Sequence, residues 1–330
     1  MLTVNKTELR KWLAKSWKWR RSKILHIVII IVFASVASYL LLMARAGTNP
    51  VELEAESASR SGNVSVADNT AASGGKTLLF GNKDTSGGTT SCSPSSGPLR
   101  SEKSFQGTTT GVAVNYSIVL PDDYYSSCKE YSIVYSLHGK DNSHSEFMPN
   151  ALTIRQAIDD GILPQLIIVT PDSYSDGRWQ NGDKGPAEDN FIKELIPYVE
   201  QNYRVKKGAS NRLLTGFSMG GHGAFYYAVK YPRMFAATLA VDGAMSYSAA
   251  DYTQYVEQVK TYKPPIYSMG GQLNGSRVKA IIDAYAGQGV SLPYVYYDLA
   301  HDYDLFIAED KKQGWPAAKY LAQNLGRAIP

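Results

Sequence analysis

Apolar residues along this chain fall into short runs with two different periods. "YSIVYSLHG" (131–139) is apolar at nearly every position and ends at His-Gly. "LPQLIIVTPD" (163–172), "NRLLTGFS" (211–218), "FAATLAVDG" (235–243), "PPIYSMGG" (264–271) and "LPYVYYDL" (292–299) read the same way, and "GVAVNYSIVLP" (111–121) is a strand that ends at a proline. Strands apolar at consecutive positions bury both faces, as in a parallel sheet covered on two sides. Other runs have helical spacing. In "EDNFIKELIPYVEQNY" (188–203) Phe191, Leu195 and Val199 recur every four residues. "GGHGAFYYAVKYP" reads as a helix stopped by Pro232, and "SRVKAIIDAYAGQG" (276–289) as another. Strands alternating with helices predict an α/β domain over 101–330, a mostly parallel central sheet with helices on both faces.

Upstream, the texture changes twice. Residues 24–43, "ILHIVIIIVFASVASYLLLM", run 20 positions without a formal charge, counting His26 as neutral. A helix of that length crosses a bilayer core of roughly 30 Å, so the segment predicts a transmembrane helix or signal anchor in the lipid bilayer. The tail before it, 1–23, carries eight basic residues against the single acid Glu8, while Arg45 alone follows the apolar run. That bias predicts a single pass, with a cytoplasmic N-terminus and the rest of the chain outside the cell membrane. "ARA" at 44–46 fits a cleavage pattern, so secretion after cleavage near Ala46 is the alternative. Residues 44–100, rich in Gly, Ser, Thr and Asn, cannot bury much surface and read as an extracellular linker. Within them, 51–81 opens with Glu54-Ala55-Glu56 and reaches Gly74-Gly75, and resembles the start of carbohydrate-binding β-sandwich modules. It covers about 30 residues of a fold that needs roughly 100, so a complete sandwich cannot form.

Charge then removes one class of partner. The formal net charge is +4, but residues 1–23 contribute +7, which leaves −3 on the remainder. The basic charge belongs to the tail, which argues against nucleic-acid binding by the folded part. Two cysteines, Cys92 and Cys128, fall in the exported part, where a disulfide is permitted and two free thiols remain open. The sequence has no phosphate loop, metal-ligand cluster or dinucleotide fingerprint, and no cofactor or metal is expected.

One pentapeptide carries chemistry. Gly216-Phe217-Ser218-Met219-Gly220 is a G-x-S-x-G between a strand and a helix. Such a turn forces its serine into a strained conformation, lifts the hydroxyl off the sheet, and places it at a helix N-terminus where negative charge is favoured. A serine alcohol needs a base. His26 lies in the apolar segment, His138 precedes the serine at a strand end, His144 is in a polar loop, and His222 is in the first turn of the following helix. In α/β hydrolases the triad runs Ser, acid, His along the chain, and His301, in "DLAHDYDLF", alone fits that order. His138 and His222 read as structural. The N–H of Met219 and an N–H after "YSLHG", that of Lys140, would hold the oxyanion.

From about 105 to 326 the chain resembles the esterase D-like family of α/β hydrolases, which includes formylglutathione hydrolases, feruloyl and acetylxylan esterases and mycolyltransferases. The matching pieces are "YSIVLPDDY", "YSIVYSLHG", "LIIVTPDS", "EDNFIKELIPYVEQNYRV", "LLTGFSMGGHGAFYYAVKYPRMFA" and "YVYYDLAHDYDLF". The resemblance implies a serine carboxylic-ester hydrolase with Ser218 as nucleophile and His301 as base, acting on a small-molecule or carbohydrate ester or on cell-envelope material. It also implies that the acid follows "PPIYSMGG", where this chain reads Gln272-Leu273-Asn274-Gly275 and has no carboxylate. Asn274 occupies that slot. Asp242, at the end of the preceding strand, is the other candidate. Asp302 and Asp304 adjoin the histidine but diverge from it, and Asp283 sits mid-helix. Arg178 and Trp179, in the polar loop 173–190, are candidate substrate contacts. Two alternatives stay open: an acyltransferase of the same fold, and a surface binding protein that has lost its chemistry, which the missing acid would support.

Overall fold

The structure, a computed structural model, describes residues 95–174, 178–245 and 248–329, together with strands β1 (Val64–Asp68) and β2 (Lys76–Phe80). The expected apolar span 24–43, the basic tail and Cys92 lie outside the described residues. Among the described residues no helix is long and apolar enough to cross a membrane. The chain divides after Thr90 into two units. In the first, β1 and β2 form an antiparallel pair, with Val64 opposite Phe80. The second begins about ten residues earlier than the composition predicted. The reason is that 95–99 pair with later residues: Ser95 N–H donates to Tyr125 O, and Leu120 N–H to Leu99 O.

The second unit is built on an eight-stranded sheet. Its strands are β3 (Arg100–Gln106), β4 (Ala113–Val119), β5 (Ser132–Leu137), β6 (Leu166–Pro171), β9 (Arg212–Phe217), β10 (Ala237–Val241), β11 (Ile266–Gly270) and β12 (Tyr294–Tyr296). A two-residue ladder, β7 (Asn181–Gly182) with β8 (Gly185–Pro186), stands apart from it. The spatial order is β12-β11-β10-β9-β5-β6-β4-β3. From β12 to β6 all neighbours are parallel, while β4 and β3 run antiparallel at the edge.

The consecutive apolar runs are explained by what covers each face. Along β5, Ile133, Tyr135 and Leu137 point into a cluster with Phe191, Leu195, Ala224 and Tyr227. Val134 points the other way, toward Phe147, Tyr303, Phe306 and Leu321. A third cluster packs the helix Met219–Lys230 against the helix Gly275–Ala286 through Phe225, Val278, Ile282 and Tyr285. The expected helix over 188–203 is present in three pieces: Ala187–Asp189, a π-helical segment Asn190–Leu195, and Ile196–Asn202. Pro197 cannot donate the α-type bond to the carbonyl of Lys193, and the wider π turn precedes it. The strand expected over 292–299 is only three residues long, because the chain leaves the sheet at Tyr296 to begin the segment that carries His301.

Candidate active site

Ser218 follows β9 directly and caps the helix Met219–Lys230, with φ 57° and ψ −116°. This left-handed conformation is uncommon for a residue with a side chain and marks local strain. The surroundings hold it. Ser218 N–H donates to Val241 O at 3.0 Å, and Ser218 O accepts from His222 N–H at 3.0 Å and Ala244 N–H at 2.8 Å. The flanking glycines are sterically required. A Cβ on Gly216 would lie 2.1 Å from Gly220 O, and one on Gly220 would lie 2.0 Å from Leu137 O. Both obstacles are backbone, so neither can yield cheaply.

Asp242 follows β10 in the same manner, with φ 40°. β9 and β10 are parallel with Phe217 opposite Val241, so the residues that leave the two strands, Ser218 and Asp242, are next to each other. The Asp242 carboxylate is fully buried. Its Oδ1 accepts from Gly271 N–H at 2.8 Å, and its Oδ2 lies 2.5 Å from His301 Nδ1. A carboxylate there requires Nδ1 to carry the hydrogen, which leaves Nε2 as the free lone pair. His301 is a quarter exposed and sits just before the helix Tyr303–Lys312. Phe217 lies against it, ring centroids 4.4 Å apart.

Ser218 and His301 line one cleft of about 450 Å³. Phe147, Phe217 and Tyr303 give it an aromatic wall, and Lys140, Asn142, Asn150 and Asp302 a polar one. Met219 opens its helix, so its N–H has no intrahelical acceptor. The loop carrying Lys140 passes over the serine: a Cβ on Gly139 would sit 3.5 Å from Ser218 Cβ. Lys140 lines the same cleft as Ser218, and Met219 follows the serine directly in the chain. A larger hollow of about 800 Å³ opens where the chain enters β11 and β12, lined by Pro265, Pro293 and Arg327. It contains none of the candidate residues, so size does not locate the chemistry here.

Asn274, in the expected acid slot, does not face the imidazole. Its side chain is buried and its Nδ2 donates to the backbone O of Asp242 at 3.0 Å. Of the lesser acids, Asp302 accepts from Asp304 N–H, Asp304 accepts from Asn150 Nδ2, and Asp283 pairs on the surface with Lys279. His138 is buried, with Nδ1 2.7 Å from Gly139 O and Nε2 accepting from Ser173 N–H. His222 is buried with Nδ1 2.8 Å from Tyr252 Oη, and burial pulls it down to about 4. His144 Nδ1 meets Ser117 Oγ at 2.8 Å. None of these three lines the cleft.

The loop 173–190 behaves differently from expectation. Trp179 is not a substrate contact. It is fully buried, donates from Nε1 to His138 O, and packs where a Cβ on Gly223 would intrude. Polar neighbours in sequence predict a mouth residue at 179, yet the indole turns inward. Arg178 is exposed, and it too is outside the cleft. Sequence reasoning missed Gly271, whose N–H holds the acid, and Phe217, whose position inside the pentapeptide carries no sign of which ring it touches. Cys128 is disulfide-bonded. Among the described residues no group of three or more His, Cys, Asp or Glu side chains could hold a metal ion.

A family model described as "Putative esterase" matches residues 107–308, well over half of the chain and every residue that lines the cleft. This chain belongs to that esterase family. A curated esterase of Mycobacterium tuberculosis is 33% identical over 147 residues, which is 43% of this chain and 32% of that protein. The match thus spans about a third of that esterase's length. Among solved structures, a ferulic acid esterase superposes with a TM-score of 0.60 at 19% identity, covering 68% of this chain and 98% of that one. A ferulic acid esterase from Anaeromyces mucronatus, in complex with ferulic acid, superposes with a TM-score of 0.53 at 21% identity, covering 68% and 92%. At these identities the structures establish the α/β-hydrolase fold of the esterase domain.

Proposed function

We propose that the protein is a serine carboxylic-ester hydrolase working through a Ser218–His301–Asp242 triad. The observation that carries this reading is one imidazole, joined through Nδ1 to a buried carboxylate, sharing a cleft with a serine on a strained strand-to-helix turn. Ser218 Oγ attacks the ester carbonyl while His301 Nε2 takes its proton. The N–H groups of Met219 and Lys140 receive the developing oxyanion. His301 then passes the proton to the departing alcohol, and water repeats the cycle on the acyl-enzyme. Asp242 keeps the imidazole in the productive tautomer and balances its charge. Asn274 anchors the acid's backbone rather than replacing the acid. The carboxylate at Nδ1 supports working chemistry over the lapsed-site reading.

Aromatic rings beside amides and charged groups in the cleft suit an ester joining an aromatic or short acyl group to a hydroxylated alcohol, as in esterified carbohydrate. The ferulate-binding neighbours fit that class. The apolar segment 24–43 and the basic tail support tethering to the cell membrane with the esterase domain outside. A disulfide at Cys128 agrees with an oxidising compartment.

The test is hydrolysis of p-nitrophenyl acetate by the purified chain together with labelling by a fluorophosphonate. Wild type turns over and is labelled, while Ser218→Ala does neither at an unchanged thermal midpoint. Equal nitrophenol release by the two proteins would refute the assignment. An added alcohol acceptor that captures the acyl group in place of water would indicate the acyltransferase reading instead.

A further inference from the structure

Phe217 occupies the variable position before the serine, and its ring is stacked on the imidazole of His301, planes inclined by 28°. The ring has little freedom to leave. The Tyr303 ring meets it edge-on at 5.7 Å, and Phe306 packs at 6.5 Å. An aromatic face attracts a cation held within about 6 Å of its centroid. In the proposed mechanism His301 gains positive charge as it takes the serine proton, so the attraction grows as the reaction proceeds. An interaction stronger in the transition state than in the ground state raises kcat rather than lowering KM.

We infer that Phe217 is a positioning residue for His301, fixing the plane of the imidazole and stabilising the imidazolium through its ring face. The inference rests on the proposed triad. As the Oγ–carbonyl bond forms, the proton moves from Ser218 Oγ to His301 Nε2, and Nδ1–H goes on donating to Asp242. When the carbonyl–alcohol bond breaks, the same proton leaves on the alcohol oxygen and His301 returns to neutral. The charged and titratable groups around His301 are Asp242 at Nδ1, Asp302 and Tyr303 on its own segment, and Lys140 across the cleft. Burial pushes Tyr303 up to about 12, so it stays neutral through the working range.

Two effects of removing the ring oppose each other. Loss of the face weakens the imidazolium, whereas entry of water strengthens it. Phe217→Leu separates them, because leucine keeps apolar bulk against the imidazole and lacks the quadrupole. For p-nitrophenyl acetate, the full chain carrying Phe217→Leu should lose about three- to tenfold in kcat with KM within about twofold. The acid limb of its kcat/KM profile should move to lower pH by about half a unit. Phe217→Tyr, which keeps the face, should restore the wild-type profile. If Phe217→Leu lowers the thermal midpoint, pentafluorophenylalanine at 217 reverses the quadrupole at nearly constant shape, and the same displacement of the limb is expected. An acid limb that stays in place, or moves to higher pH, overturns the inference even if kcat falls. That outcome beside an inactive Ser218→Ala leaves the triad intact, whereas an active Ser218→Ala removes both.

Discussion

Asp242→Asn is the substitution that most directly probes how the site is wired. An amide has the shape of the carboxylate, but its two ends are not equivalent. In the native protein Oδ1 accepts from Gly271 N–H and Oδ2 meets His301 Nδ1. The lowest-energy asparagine puts its oxygen on Gly271 N–H and its NH₂ toward His301. Nδ1 must then become an acceptor, so the imidazole proton sits on Nε2, where it cannot receive the serine proton. The productive tautomer returns only if the amide flips and leaves its NH₂ against Gly271 N–H, donor to donor, in a fully buried site. An unsatisfied buried donor costs about 1–3 kcal/mol, and losing a charged hydrogen bond to the imidazolium costs about 1.5–3 more. Together these predict a fall in kcat of about 10² to 10⁴, within the range known for the same change in a serine protease. Folding should change little, since the ground-state hydrogen bonds are retained. Initial rates on p-nitrophenyl acetate give the loss, thermal unfolding the stability, and ¹⁵N shifts of His301 the tautomer. Asp242→Asn activity within tenfold of wild type, or an imidazole still protonated on Nδ1, would refute this wiring.

Three further outcomes follow from buried geometry. Gly220→Ala should prevent soluble folding or lower the thermal midpoint sharply, because its Cβ meets Leu137 O at 2.0 Å on a central strand; an unchanged midpoint would contradict the packing. Asn274→Ala should cost about 1–3 kcal/mol in urea unfolding, leaving the Asp242 carbonyl short of its side-chain donor, yet should reduce kcat less than Asp242→Asn. The reverse ranking would make Asn274 the orienting group. His222 is pulled from 6.5 down to about 4 by burial, so between those values the unfolded chain binds a proton that the folded chain does not. Its contribution is complete above about pH 6.5 and declines by about 3 kcal/mol in total as pH falls to about 4. Urea unfolding of wild type and His222→Gln at pH 7 and pH 4.5 should show the wild type losing more stability, and parallel losses would remove the assignment.

The sequence carried the sheet because burial on both faces writes itself as uninterrupted apolar runs. It carried Ser218 because close backbone approach, to Gly220 O and Leu137 O, excludes any side chain at the flanking positions. What it could not carry was direction. Trp179 and Arg178 are consecutive in a polar loop, and nothing in that composition shows that the indole turns inward to His138 while the guanidinium stays at the surface. Asn274 had the right place in the chain for the acid, but its side chain points to a carbonyl instead of the imidazole. Burial and orientation of single side chains depend on partners far away in sequence, and a local pattern does not contain them.

The acid has a simpler spatial logic than its sequence position suggests. Phe217 and Val241 are register partners on neighbouring parallel strands, and each strand ends by passing into a left-handed residue, Ser218 on one and Asp242 on the other. Two sharp exits side by side present a hydroxyl and a carboxylate at the same edge of the sheet. The imidazole then has only to arrive from one direction, and the chain beyond β12 brings His301 to Asp242 and into the cleft that Ser218 lines. Gly271, at the end of β11, fixes the carboxylate on the way. With Asp242 on the strand adjoining Ser218, the proposed triad depends on a single long return of the chain, so displacing the 297–302 segment should take His301 away from Ser218 and Asp242 together rather than one at a time.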